Sequence, residues 1–198
     1  MRITKYTHAC VRLEDGGRAI VIDPGVWAEP EAWAGADAIL VTHEHGDHVD
    51  VERLATAGVP IYAPAGAALD GLDVTRVATG DEFTAGGFTV RAVGGRHAFI
   101  HGGTPDCANL GYVVGGDVYH PGDALHVPDG PVGTLLVPVH GPWLKMGEAI
   151  DFVRAVRPER AFAIHDAALN ERGLGSVNGW LSGEAGGGYR YLAPGETA

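Results

Sequence analysis

Apolar and polar residues alternate in short runs through the first half of the chain, a period of two that predicts β-strands over residues 2–6, 10–14 and 18–22. Asp15-Gly16-Gly17 supplies a tight turn between the second and third runs. Asp23-Pro24-Gly25 ends the third, with Pro and Gly suited to the centre of a type II turn. Residues 37–41, DAILV, are apolar without alternation, as in a strand buried on both faces. A short helix over 49–57 follows, stopped by Gly58, then strands over 59–62, 74–78, 87–93, 110–114, 117–119 and 134–139. The period changes at Ala149, Phe152, Val153 and Val156, an apolar helical stripe that Pro158 terminates. Residues 161–164 read as a brief strand, Asp166 as the N-cap of a helix from Ala167, and GEAGGG at 183–188 as a mobile loop.

Four polar clusters stand directly after apolar strands: His43–His48, His120–Asp123, His140–Trp143 and His165–Asp166. In layered α/β folds ligands collect beyond the carboxyl ends of strands, where loops converge. The pattern therefore predicts one mouth shared by four loops.

Composition narrows the setting. The 198 residues fit a single domain, 1–198, large enough to bury a core. Acidic residues outnumber basic ones 25 to 14, with no basic run, which argues against a nucleic-acid partner. No stretch approaches the ~20 apolar residues of a membrane span, and the opening MRITKYTHACVRLED is charged, without an apolar signal region. Cys10 and Cys107 lack metal-ligand spacing and read as reduced thiols outside the chemistry. A cytoplasmic protein acting on a small molecule is expected, with homo-oligomerisation left open.

The sequence THEHGDH at 42–48 carries the chemistry. In a loop leaving a buried strand, His43 and His45 can project to one side and share a metal, while Asp47 and His48 are displaced enough to serve a second. Neutral imidazole and carboxylate suit Zn²⁺, and also Mn or Fe. A solvated turn is the plain alternative for these residues taken alone.

His43-x-His45-x-Asp47-His48 after a buried strand resembles the signature of the metallo-β-lactamase superfamily. His97 in GGRHAF, Asp123 in YHPGDAL and His165 in AIHDA follow in that family's order. The segments NLGYVV, VYHPGD and THACVRLEDGGRAIVIDPG are similar to its ascorbate-6-phosphate-lactonase-like branch. The resemblance implies a four-layer αββα sandwich of the α/β class. It further implies two divalent ions, one held by His43, His45 and His97, the other by Asp47, His48 and His165, with Asp123 between them. The implied reaction is hydrolysis, by metal-activated water, of a small and anionic ester, lactone, thioester or phosphodiester, with Asp47 also placed to take the water's proton. His8 stands where the family has an early histidine that supports the site, though a plain strand histidine reads equally well. His45 where the flavodiiron branch has Glu disfavours oxygen or NO reduction. The same motif also serves iron-dependent thiol or persulfide dioxygenases, and a non-catalytic metal-binding protein is a third reading.

The remaining candidates are less defined. His101, four residues beyond His97, is assigned to the pocket rim because its glycine-flanked loop holds a ring less firmly. His140, Trp143 and Lys145 follow the strand at 134–139 and are expected to touch substrate, with His126 a further possibility. Asp23 reads as a turn former and His120 as a histidine pointing into the sheet.

Overall fold

The structure, a computed structural model, describes residues 1–104, 106–186 and 188–198. Strands β1 (Arg2–Lys5), β2 (Val11–Asp15) and β3 (Arg18–Ile22) form an antiparallel meander. A 3₁₀ turn at Pro30–Trp33 leads to β4 (Ala38–Leu40), the short helix α1 (Val51–Leu54), β5 (Ile61–Pro64) and β6 (Thr75–Val77). These three strands add in parallel, completing a sheet ordered β1-β2-β3-β4-β5-β6.

The second sheet begins with β7 (Glu82–Ala85), β8 (Phe88–Gly94), β9 (Leu110–Val114) and β10 (Val118–His120), all antiparallel. It continues in parallel through β11 (Thr134–Pro138), β12 (Arg160–Ile164) and β13 (Tyr189–Arg190), with helix α2 (Met146–Val156) between β11 and β12 and helix α3 (Glu171–Trp180) after β12.

Hydrophobic burial layers the sheets. Ile3, Leu13, Ile20 and Leu40 of the first pack against Phe88, Val90, Tyr112, Leu136 and Phe162 of the second. On the outer side of the first sheet, Ile39 and Ile61 meet Leu54 of α1, as the unbroken apolar run of β4 requires. The stripe of α2 (Ala149, Phe152, Val153) covers Leu135 and Val137 on the outer side of the second. The result is the expected αββα sandwich.

Several local expectations give way. α1 spans four residues rather than nine, because Val49 still belongs to the histidine loop, donating to His45 O at 3.0 Å, and Asp50 caps the helix by accepting from Arg53 N. Asp23, not Gly25, takes the left-handed conformation, with φ of +53°. Gly25 is needed for space instead: a Cβ there would lie 2.0 Å from the Asp47 carbonyl oxygen. Helix α3 starts at Glu171 under an Asn170 cap, not at Ala167. Asp166 is buried and accepts the Lys5 ammonium at 3.0 and 3.2 Å. The start of α3 is hard to place from sequence because none of its residues is buried and three are glycines, so it carries no apolar stripe. Residues 181–185 form a π-helical turn rather than the start of a loop, and Gly187 of that segment lies outside the described residues.

No described helix is long and apolar enough to cross a membrane.

Candidate metal centre

The loop after β4 is folded by its own backbone. His45 O accepts from His48 N at 2.9 Å, and Val26 N donates to Gly46 O at 2.8 Å, pressing the loop onto the chain leaving β3. That arrangement turns His43, His45, Asp47 and His48 towards one space between the two sheets. The second sheet contributes the rest: His97 from the loop after β8, Asp123 from the loop after β10, and His165 from the end of β12. Side-chain ligand atoms of His43, His45 and His97 lie within 4.8 Å of one another, as do those of Asp47, His48, His165 and His8, and those of His43, His48 and Asp123.

Hydrogen bonds set which ring nitrogen each histidine presents. Asp23 is fully buried; its Oδ1 accepts from Thr42 N at 2.7 Å and its Oδ2 from the Thr42 hydroxyl at 2.6 Å and His48 Nδ1 at 2.7 Å. Thr42 has one hydroxyl proton, spent on Asp23, so its oxygen can only accept from His43 Nδ1 at 3.1 Å. His97 Nδ1 donates to Ala98 O at 2.6 Å. His43, His48 and His97 therefore all carry their proton on Nδ1 and turn Nε2 inward. His45 faces His43 Nε2 through Nδ1, at 3.1 Å, while its Nε2 lies 3.9 Å from the Cys107 sulfur.

The carboxylates are held just as closely. Asp123 N donates to Asn109 Oδ1 at 3.0 Å, and its carboxylate accepts the Trp143 indole N–H at 2.9 Å. Facing that carboxylate are His48 Nε2 at 3.1 Å, His97 Nε2 at 3.4 Å and His165 Nε2 at 3.0 Å. Asp47 Oδ2 pairs with His8 Nε2 at 3.2 Å. Ala167 N donates to His8 Nδ1 at 3.3 Å, which places the His8 proton on Nε2, against Asp47. Among the described residues, His8, Asp23 and His165 are three of the four non-glycine positions with positive φ, at +67°, +53° and +61°. Such strain collects where surrounding structure over-determines a functional geometry.

These residues fit a metal. His48 Nε2, His97 Nε2, His165 Nε2 and Asp123 Oδ1 are buried without a hydrogen-bond partner among the described residues, although they face one another closely. Burying such groups unpaired is costly, and a cation on which their lone pairs converge would satisfy them together. The charge balance agrees. Burial drives His43 well below the ordinary histidine value, so its ring is a neutral donor. Burial also opposes charge on His48, but Asp123 and Asp23 on either side outweigh it and raise that ring well above the ordinary value. A proton there occupies the place a metal ion would take. Asp47 is pushed up by burial, yet the His8 hydrogen bond and the neighbouring histidines bring it to about 2. A carboxylate held in its charged form is suited to a metal ligand.

The substrate-side candidates divide. His101 is exposed and lines a cavity of about 350 Å³ together with His45, His97, Arg96 and Cys107. Lys145 is exposed at the start of α2, in a neighbouring cavity of about 470 Å³. His140 is half-buried and His126 exposed, neither within the histidine–aspartate cluster. Trp143 also lines the second cavity, but it is buried and its N–H is committed to Asp123. His120 is buried, donating to Ala9 O at 2.8 Å and accepting from Gly122 N at 3.1 Å, a structural role as expected. Asp23 is more than a turn former, since it orients His43 and His48. Thr42 and Asn109 drew no notice in the sequence, because a buried Thr or Asn announces itself only through its partners. Both cysteines are free thiols, and Cys107 lies closer to the centre than its spacing suggested.

A six- and a seven-stranded sheet enclosing a histidine–aspartate cluster at one edge define a metallo-β-lactamase fold. The family profile described as "Beta-lactamase superfamily domain" matches residues 2–165, and the chain belongs to that family. Protein Rv0786c of Mycobacterium tuberculosis is 41% identical over 194 residues, covering 92% of each chain. A protein of Methanopyrus kandleri named "UPF0173 metal-dependent hydrolase MK1542" is 31% identical over 198 residues, covering 83% of this chain and 84% of its own. The structure is similar to that of Igni18, described as a metallo hydrolase from Ignicoccus hospitalis, with a TM-score of 0.77 at 19% identity over 100% of this chain and 97% of that one.

Proposed function

We propose that this protein is a metal-dependent hydrolase of a small ester, lactone, thioester or phosphodiester. Two divalent ions, with zinc the first candidate, would be held by His43, His45 and His97 on one side and Asp47, His48 and His165 on the other, with Asp123 between. The observation that carries this reading is the convergence of unpartnered, buried ring nitrogens and Asp123 Oδ1 on one space. The hydrolase names of the Methanopyrus and Ignicoccus relatives support it.

When bound, divalent ions supply an acidified water and a Lewis-acidic contact for the attacked carbonyl or phosphoryl oxygen. The chain's own residues prepare the geometry. Asp23 fixes the tautomers of His43 and His48, and His8 holds Asp47 by one oxygen. The cavity lined by His45 and His97 leads to the cluster and limits the substrate's size. Arg96 in that cavity is paired with Asp106, so the preference for a substrate with negative charge rests on Lys145 beside it, despite the formal net charge of −11.

Metal analysis of protein purified without added metal, followed by a panel of small esters, lactones, thioesters and phosphodiesters, tests the proposal. About two ions per chain and turnover abolished by a chelator are expected. One iron per chain with thiol-dependent oxygen uptake and no hydrolysis would replace this reading with a dioxygenase.

A further inference from the structure

Trp143 follows the apolar strand β11, where a substrate contact was expected, yet its polar edge is turned inward. Its Nε1–H donates to Asp123 Oδ2 at 2.9 Å, and its ring lies 5.9 Å, centroid to centroid, from both His97 and His165 in edge-to-face contact. The preceding turn is shaped to admit the indole. A Cβ at Gly141 would lie 2.7 Å from Trp143 Nε1, so a side chain there would push the ring off the carboxylate.

This contact makes the two oxygens of Asp123 unequal. Oδ2 holds the indole proton and faces His97 Nε2 and His165 Nε2 at 3.4 and 3.0 Å. Oδ1 faces His48 Nε2 at 3.1 Å and has no hydrogen-bond partner among the described residues. We propose that Trp143 is the positioning residue of the metal centre: its N–H fixes the rotation of the Asp123 carboxylate, so that both oxygens meet the histidine cluster in one orientation. The inference rests on the metal-centre reading above.

The chemistry of indole explains the choice of residue. Indole N–H is a donor only, uncharged and without a titration in the working range. Lys or Arg in its place would set a cation against bound cations. A hydroxyl, amide or imidazole would bring a lone pair that competes for the ion. Trp143 can hold the carboxylate without entering the coordination it organises, and groups that orient metal ligands in this way are worth ten- to a hundredfold in metal affinity.

The test is a stepwise Zn²⁺ titration, by calorimetry, of three metal-free proteins: wild type, Trp143→Phe, and a variant with 3-benzothienylalanine placed at position 143. The last keeps the outline of the indole and replaces only the N–H, by sulfur, so it remains informative if the smaller phenyl ring unsettles the fold. Wild type should bind two ions, and the benzothienyl variant should lose roughly ten- to a hundredfold in affinity for one of them, with a native far-UV circular dichroism spectrum in its metal-free form. The Co²⁺-loaded variant should show an altered visible absorption spectrum, a readout that does not depend on turnover. Wild-type affinities and spectrum in the benzothienyl variant overturn the inference, even if Trp143→Phe binds weakly, because ring shape and not the N–H would then matter. Fewer than two ions on wild type would overturn the metal-centre reading itself, and this inference with it.

Discussion

Asp23 and His48, 25 residues apart, are joined by a 2.7 Å hydrogen bond inside the fully buried floor of the centre. The same Asp23 oxygen takes the Thr42 hydroxyl proton, which turns Thr42 into an acceptor for His43. One carboxylate thus orients a candidate ligand in each half of the cluster. Asp23→Asn keeps the volume but places an N–H or a weaker acceptor against His48 Nδ1. We expect roughly ten- to a hundredfold weaker metal binding with a native far-UV circular dichroism spectrum. Unchanged affinity by competition with a chromophoric chelator would remove Asp23 from this role.

His97 and His101 make a matched pair. The His97 side chain is buried with Nε2 directed at Asp123, whereas His101 is exposed on the cavity rim. His97→Ala should lose at least one ion per chain and most activity. His101→Ala should retain both ions and lower kcat/KM. Metal loss confined to His101→Ala would reverse the assignment.

The pH dependence of the metal-free protein follows from opposed histidines. Burial lowers His8, His43, His45 and His120 from the usual 6.5. Each therefore adds stability that is present above about 6.5 and lost below it, where the unfolded chain takes up protons that the folded one refuses. His48 and His97 also feel burial, but their carboxylate neighbours raise them above 6.5. Their contribution is full below 6.5 and disappears as pH rises through the raised values. The melting temperature without metal should peak near pH 6.5 to 7 and decline on both sides. With zinc the alkaline decline should vanish, since neutral His48 and His97 then have an ion to bind. An identical alkaline limb in both forms, seen by scanning calorimetry, would exclude the ion from those rings.

Lys5 and Asp166, the residue after His165, form a buried ion pair. Removing one member strands the other charge, so Lys5→Met should destabilise by about 3–5 kcal/mol, and Lys5→Met with Asp166→Leu should recover much of that. Urea titrations of the single and double variants measure it. A single-variant loss below about 1 kcal/mol would mean that Asp166 finds another partner or water.

The parts of this molecule that are legible in its sequence are those with a strong local period or a dense chemical signature. The stripe of α2, the continuous run of β4 and the crowd at 42–48 each declare themselves within a dozen residues. β7 does not, since its four residues EFTA are too few and too polar to show alternation against a background of turns. The start of α3 is blurred by its glycines, and Asp166 reads as a cap because a partner 161 positions earlier is invisible to local reading. Trp143 stands in the expected loop, and its hydrogen bond to Asp123 is what sequence does not show, for it locates a side chain on an element and says little about which edge of an indole meets which neighbour.

The placement of the cluster between two sheets has a kinetic consequence. His43 to His48 are anchored in the first sheet and His97, Asp123 and His165 in the second, so an ion shared among them would rivet the two halves of the sandwich together. Like a crosslink closing very long loops, such a rivet withdraws freedom from the opened chain. Parting the sheets would then require the ion to leave first. The lifetime of the folded, loaded protein would be governed by metal dissociation, and stripping the metal should shorten that lifetime far more than it lowers the midpoint of unfolding.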